Sequence, residues 1–479
     1  MNAALKMKLN MNLSMKKIAA VAPLGAAVFA LSAISCFAQQ KQTPPPGGPP
    51  KPFTVPANEM YTLPNGLKVT LVPYGNLPKV TLALVVRTGN LNEPADMPGL
   101  ADLAGKLMKE GTTSKGSQQI AEESARMGGA ISVTVGPDET AVDTDVLSEF
   151  GPRAAVLLAD VAEHPLFPES ELPRLKTDAL RQLSIAKSVP QTIALERFRK
   201  ILYGDHPYGT VFPTPESINK TAVADIKKFY EGNFGAERAH LYVAGRFDSA
   251  EMKKAIASAF ANWTKGPAPL LNPPRVKPEH VLDVTDRPGA AQSTLLVGLP
   301  VAGPTNPDAI PLAVTNALLG GSFGSRITSN IREQKGYTYS PRSEISRRYH
   351  DAYWAESADV TTQFTGPSLK EIFAEIERLS KEPPTDAELK GIQSYMSGLF
   401  VIQNSSRGAL IGQLRYVDFQ GLGEDYLRTF VQKVNAVTPA DVQKQTAEYV
   451  KPDQMTIVVI GDKSKISEQL APFTPGSTP

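Results

Sequence analysis

The chain has 479 residues, 42% of them hydrophobic, and a formal net charge of +2. That length allows two to four domains with real cores, and the near-neutral balance argues against a nucleic-acid or anionic-membrane partner. The first 38 residues hold Lys6, Lys8, Lys16 and Lys17 and no acid, which leaves the remainder near −2. They read as a secretory signal: Lys16 and Lys17 precede the apolar, small-residue run from Ile18 to Phe37, and Cys36-Phe37-Ala38 before Gln39 suits cleavage. Met15-Lys16-Lys17 would itself start a compact signal. Pro23 and Gly25 interrupt the run, so no membrane span is expected once it is cleaved. A mitochondrial presequence would be Arg-rich, whereas the first arginine is Arg87. Cys36 is the only cysteine. It leaves with the signal or, as the minority reading, carries a lipid after Ala33-Ile34-Ser35. The mature chain then has no disulfide.

Residues 39–57, with Pro44-Pro45-Pro46-Gly47-Gly48-Pro49-Pro50, read as an extended tether. Tyr61-Thr62-Leu63, the turn Pro64-Asn65-Gly66 and the alternating Leu67–Val72 form a hairpin, and Val80–Val86 a further strand. Ile131–Val135 and Thr140–Val146 are strand-like. Helical patterns follow at about 151–163, 170–187, 191–203 and 221–231, then a strand at His240–Ala244. Six Pro and Gly residues between 265 and 278 mark a linker between two halves, 58–264 and 279–473.

The halves repeat. At an offset of 216, Ile218 meets Val434, Asn219 meets Asn435, Ala224 meets Ala440, Asp225 meets Asp441 and Ile226 meets Val442. The same frame carries Val243 onto Val459 and Gly245 onto Gly461. The economical architecture is α+β, two tandem copies of a unit of about 200 residues.

Within the first half, Leu100, Leu103, Ala104, Leu107 and Met108 recur at helical spacing, with Gly111 where a C-terminal cap belongs. Asp102 and Lys106 read as an exposed i,i+4 ion pair on that helix. The stretch Gly99–Thr112 resembles the active-site helix of the pitrilysin, insulysin and mitochondrial processing peptidase family, whose members carry H-x-x-E-H in the frame G-[IL]-A-H-x-x-E-H-M-x-x-x-G-T. Gly99, Leu100, Ala101, Gly111 and Thr112 match the frame. Asp102 and Lys106 stand where the two histidines would be, and Gly105 replaces the glutamate base. The run from Glu171 through Arg174 to Gln182 resembles the family's downstream helix, with Gln182 at the third ligand position. A zinc peptidase needs neutral imidazoles and a carboxylate base; an ammonium, a glycine and an amide supply neither. His164, His206, His240, His280 and His350 form no pair at ligand spacing, so no metal is expected in this chain. His206-Pro207-Tyr208-Gly209 resembles a structural turn of the family.

The second half keeps a different signature. Leu319-Gly320-Gly321-Ser322-Phe323-Gly324-Ser325-Arg326 precedes a helix ending near Gly336, followed by a strand at Tyr337–Ser340. Arg332 and Tyr339 fit the family's R-E-x-x-G-x-x-Y-S. The resemblance implies that this pair binds the substrate carbonyl and stabilises its oxyanion at a zinc site borne by another domain or subunit. Gly320, Gly321 and Gly324 resemble the glycine-rich substrate loop of non-catalytic processing-peptidase subunits. They lack the pattern of a phosphate loop.

The resemblance covers residues 58–473 and implies tandem domains, each an antiparallel-rich sheet with helices packed on it, arranged as a clam-shell. It implies a non-catalytic, substrate-presenting subunit of a heteromeric zinc metallopeptidase, exported to the periplasm. A homologous H-x-x-E-H partner would carry the zinc, and a peptide would be the substrate. The rival from another class is a peptide-binding or assembly protein with no proteolytic role, since the family includes such core subunits in respiratory complexes. A hydrolase with an unconventional site ranks third.

Overall fold

The computed structural model describes residues 54–423 and 425–476. The signal, most of the tether and Cys36 lie outside the described residues.

Two sheets organise the chain. The first contains β1 (Glu59–Thr62), β2 (Lys68–Pro73), β3 (Lys79–Val86), β4 (Ser132–Val135), β5 (Thr140–Leu147) and β6 (Ala239–Gly245), in the order β1-β2-β6-β3-β5-β4. The second contains β7 (Val281–Asp286), β8 (Gln292–Val301), β9 (Arg342–Arg348), β10 (Asp351–Thr361) and β11 (Thr456–Gly461), in the order β7-β11-β8-β10-β9. The 216-residue repeat explains the match. β6 runs parallel to β2 and antiparallel to β3, and β11 runs parallel to β7 and antiparallel to β8. Among the described strands only β1 lacks a counterpart. Helices Val223–Asn233 and Pro439–Tyr449 repeat in the same frame. The fold is thus α+β with two tandem domains of one topology. No helix among the described residues is long and apolar enough to cross a membrane.

The hairpin forms at Asn65-Gly66, with Gly66 at φ +98° and the Asn65 amide donating to the carbonyls of Phe260 and Trp263. β2 and β3 are nevertheless not neighbours, because the wholly buried β6 inserts between them. Side chains alternate across each sheet. Leu82, Leu84, Leu241 and Val243 face one core, while Ala83, Val85, Tyr242 and Ala244 face the opposite side.

Each half also covers the back of the other half's sheet. Helix α1 (Leu100–Met108), α2 (Leu172–Ala186) and α3 (Pro190–Tyr203) belong to the first half, and α4 (Arg407–Gln420) to the second. Ala194, Phe198 and Leu202 of α3 pack on Leu296, Tyr353, Val458 and Ile460 of the second sheet. Leu410 and Ile411 of α4, with Leu410 lying 216 positions after Ala194, pack on Val72, Val85 and Tyr242 of the first. Polar contacts fasten α4 further. Arg407 donates to Asp145 at 2.9 Å, Arg415 to Glu139 at 2.5 Å, and Arg87 to Asp418 at 3.1 Å.

Three local expectations are corrected. α1 ends at Met108 with Lys109 as its cap. Gly111 lies beyond it, in a bridge to Gly116. Gly320 and Gly321 are not loop residues but close a π-helix, Ala317–Gly321, and Arg332 sits in a second one, Ser329–Gln334. Tyr337–Ser340 is not a strand. Only Thr338 bridges, to Val360, beyond the Asp351–Ser357 stretch of β10 that pairs with β9.

Candidate functional site

α1 is set by its N-terminus. Gly99 holds φ +91°, and a Cβ there would meet Pro213 Cβ at 2.7 Å, so both conformation and space require glycine. The Glu93 carboxylate receives the N–H of Gly99 at 3.1 Å and of Ala101 at 2.8 Å, satisfying donors that the first helical turn leaves free. Burial pushes Glu93 up to about 7, against those N–H groups and the Asn90 amide, which pull it down. Leu100, Leu103, Ala104, Leu107 and Met108 are buried in the first core, as their spacing requires.

The other face of α1 carries Asp102 and Lys106, and they do not form the expected ion pair. Asn90 Nδ2 donates to Asp102 Oδ2 at 2.9 Å and to Glu93 Oε1 at 3.0 Å. Lys106 Nζ donates to Gln182 Oε1 on α2 at 3.3 Å. Asp102 is half-buried rather than exposed, and burial raises its pKa. Asn90 therefore outcompetes the lysine for the carboxylate.

Asp102, Lys106 and Gln182 line one cavity of about 230 Å³, with Leu103, Phe212 and Ile218. A cleft of about 450 Å³ adjoins it, sharing Asp102 and lined also by Asn90, Glu93 and Lys200. Gly105 faces away from both, into β4: a Cβ would meet Val135 Cγ2 at 2.5 Å and Val133 Cγ1 at 3.4 Å. A longer side chain at 105 has no room.

These residues do not fit a zinc ion. One engaged carboxylate, one ammonium and one amide replace three ligands, and the base position is filled by valine methyls. Among the described residues no group of three or more His, Cys, Asp or Glu could hold a metal ion. Four histidines are engaged elsewhere. His240 contacts Thr70 and Asp418, His206 the Asn272 carbonyl and the Tyr208 N–H, His280 the Met455 carbonyl, and His350 stacks on Tyr349.

Arg332 and Tyr339 are brought together. The Arg332 guanidinium carbon lies 4.8 Å from the Tyr339 ring centroid and 4.6 Å from that of Phe323. Arg332 Nε also pairs with Glu333 at 3.1 Å. Phe323 is 70% exposed and Tyr339 79%. The three form a cation held between two open aromatic faces. Neither Arg332 nor Tyr339 lines the two cavities at α1. Gly320 is packed close: a Cβ would fall 2.5 Å from Glu356 Oε2 and from Ser343 Oγ. Gly324 has nothing within 4 Å.

Sequence reasoning missed Asn90, Glu93, Val135 and Phe323. Asn90 had one signal, since Asn306 follows it by 216 positions. Glu93 acts six to eight residues ahead of the N–H groups it binds, outside capping-box spacing. Val135 is a contact across the fold. Phe323 lies between Gly321 and Gly324, and an aromatic in so small-residue a stretch was a readable cue.

Residues 69–216 match Insulinase (Peptidase family M16), and residues 221–396 match the Peptidase M16 inactive domain. A protein described as an uncharacterized zinc protease, YmxG of Bacillus subtilis, is 25% identical over 72% of this chain and 84% of its own length. Another so described, from Rickettsia bellii, is 24% identical over 83% of this chain and 96% of its own. The crystal structure of a peptidase M16 inactive domain from Pseudomonas fluorescens superposes with a TM-score of 0.79 at 25% identity, covering 85% of this chain and 98% of that one. A protease from Helicobacter pylori gives 0.78 at 21% identity, over 85% and 100%. The chain therefore belongs to peptidase family M16.

Proposed function

We propose that this chain is the non-catalytic, substrate-presenting subunit of a heteromeric zinc metallopeptidase acting on peptides in the cell envelope. A homologous partner supplies H-x-x-E-H and the zinc. The observation that carries the reading is the Arg332 guanidinium, fixed between Phe323 and Tyr339 on an exposed surface and outside this chain's own α1 cavities. A fixed cation and a phenol suit the charge that grows on a carbonyl oxygen during hydrolysis. They do nothing without a nucleophile, and Lys106 and Gly105 provide none. The signal-like first 38 residues support export to the periplasm.

The same exposed Phe-Arg-Tyr cluster also suits an assembly surface, because aromatic and arginine side chains dominate protein contacts. Affinity capture of the tagged mature chain from its native extract separates the two readings. The subunit reading expects an H-x-x-E-H chain, stoichiometric zinc and peptidase activity in the captured complex. Capture of partners without zinc or activity would replace it with the assembly reading.

A further inference from the structure

We infer that the cavity at Asp102, Lys106 and Gln182 is a binding site for the C-terminal carboxylate of a peptide whose last residue is apolar. The inference rests on the proposed handling of peptides and names what this chain itself would hold.

The argument begins with Lys106. An ammonium has three hydrogens to donate. Its one hydrogen-bond partner among the described residues is the neutral Gln182 Oε1, and it forms no ion pair there, the Asp102 carboxylate acting on it only as a nearby charge. With Oε1 engaged by the lysine, the Gln182 amide N–H groups remain for a second acceptor. Lys106 and Gln182 thus offer two donors side by side at one cavity, which matches the two oxygens of a carboxylate. A backbone carbonyl would use only one of them and gain less from the charge.

The walls define the rest of the ligand. Leu103, Ala179, Leu183, Phe212 and Ile218 surround the cavity. Its volume of about 230 Å³ falls below the ~300–1,000 Å³ of small-molecule sites. It suits a single apolar side chain. Asp102 also lines the cavity, and its charge opposes an anion. Its Oδ2 is held by the Asn90 amide, away from the Lys106–Gln182 pair. The adjoining cleft leaves a way for the preceding residues of the peptide.

The test is fluorescence anisotropy on the full mature chain with a labelled peptide ending in leucine. The same peptide is compared as free acid, as C-terminal amide, and with a terminal aspartate. Amidation is expected to weaken binding about tenfold, the loss of one charge-assisted contact. Lys106→Met should bring the free acid to the level of the amide without changing the amide, and Lys106→Arg should keep the discrimination. Equal binding of acid and amide, equal weakening of both by Lys106→Met, or no binding of any of the three peptides overturns the inference. Because the comparison of acid with amide uses the unaltered chain, misfolding of a variant cannot imitate the result. None of these outcomes bears on Arg332, so the subunit reading stands or falls separately.

Discussion

α1 and the segment 216 positions after it, Asn316–Gly324, hold the same place in the repeat and have been treated in opposite ways. In the first half the segment is a closed helix. Glu93 holds its N-terminus, Asn90 takes Asp102, Gln182 takes Lys106, and Val135 occupies the space beside Gly105. In the second half the segment is a π-helix ending at Gly321, followed by an exposed Phe323 and an unconfined Gly324. The first has its helix N-terminus and its Asp102 carboxylate held by Glu93 and Asn90. The second keeps a cation and two aromatic rings at the surface, where another molecule can use them.

The largest test of the comparison is restoration. Asp102→His, Gly105→Glu, Lys106→His and Gln182→Glu together should not yield stoichiometric zinc while Val135 stays, as read by metal analysis after dialysis. Gly105→Ala alone should cost about 2 kcal/mol, the usual scale of overpacking, and Val135→Ala should recover part of it. Gly324→Ala, by contrast, should leave the melting temperature nearly unchanged. Equal effects at the two glycines would break the contrast between a closed and an open segment.

A smaller effect concerns pH. Burial holds Glu93 at about 7, above its unfolded value of about 4.3. Between those values the folded chain binds more protons than the unfolded one, so this group makes stability fall as pH rises. The slope is at most about 1.4 kcal/mol per pH unit for one proton. Denaturant unfolding at pH 5 and pH 7.5 should show a weaker decline, or a steeper rise, in Glu93→Gln than in the parent. An identical pH dependence would remove Glu93 from the account of how α1 is held.

Phe323→Ala should have the smallest effect. It removes one face of the Arg332 sandwich, worth about 1 kcal/mol for an exposed cation–π contact. That corresponds to about fivefold in peptidase turnover of the assembled complex, with little change in the melting temperature of the free chain. Phe323→Tyr should restore the rate.

Much of this was legible in the residues. The apolar stripe of α1 and the 216-residue frame fixed the helix and the tandem topology, because periodicity and repetition survive in sequence. Asp102, Gly105, Lys106 and Gln182 drew attention only through the family frame in which they stand. The Asp102–Lys106 pair was misread because helical spacing says who is near, not who competes. Asn90 comes from 12 residues upstream and wins the carboxylate. The π-helix at 317–321 was hidden because its glycines read as loop, whereas Gly320 packs closely against Glu356 and Ser343 within a helix. The insertion of β6 between β2 and β3 is a long-range pairing that no local pattern encodes.

The central claim is tested most directly by the peptidase rate of the captured complex carrying Arg332→Ala in this chain. The account predicts a loss of about 100-fold in turnover, the scale of removing one oxyanion donor, with zinc content and complex stability unchanged. A complex that keeps its full rate with Arg332→Ala would contradict it.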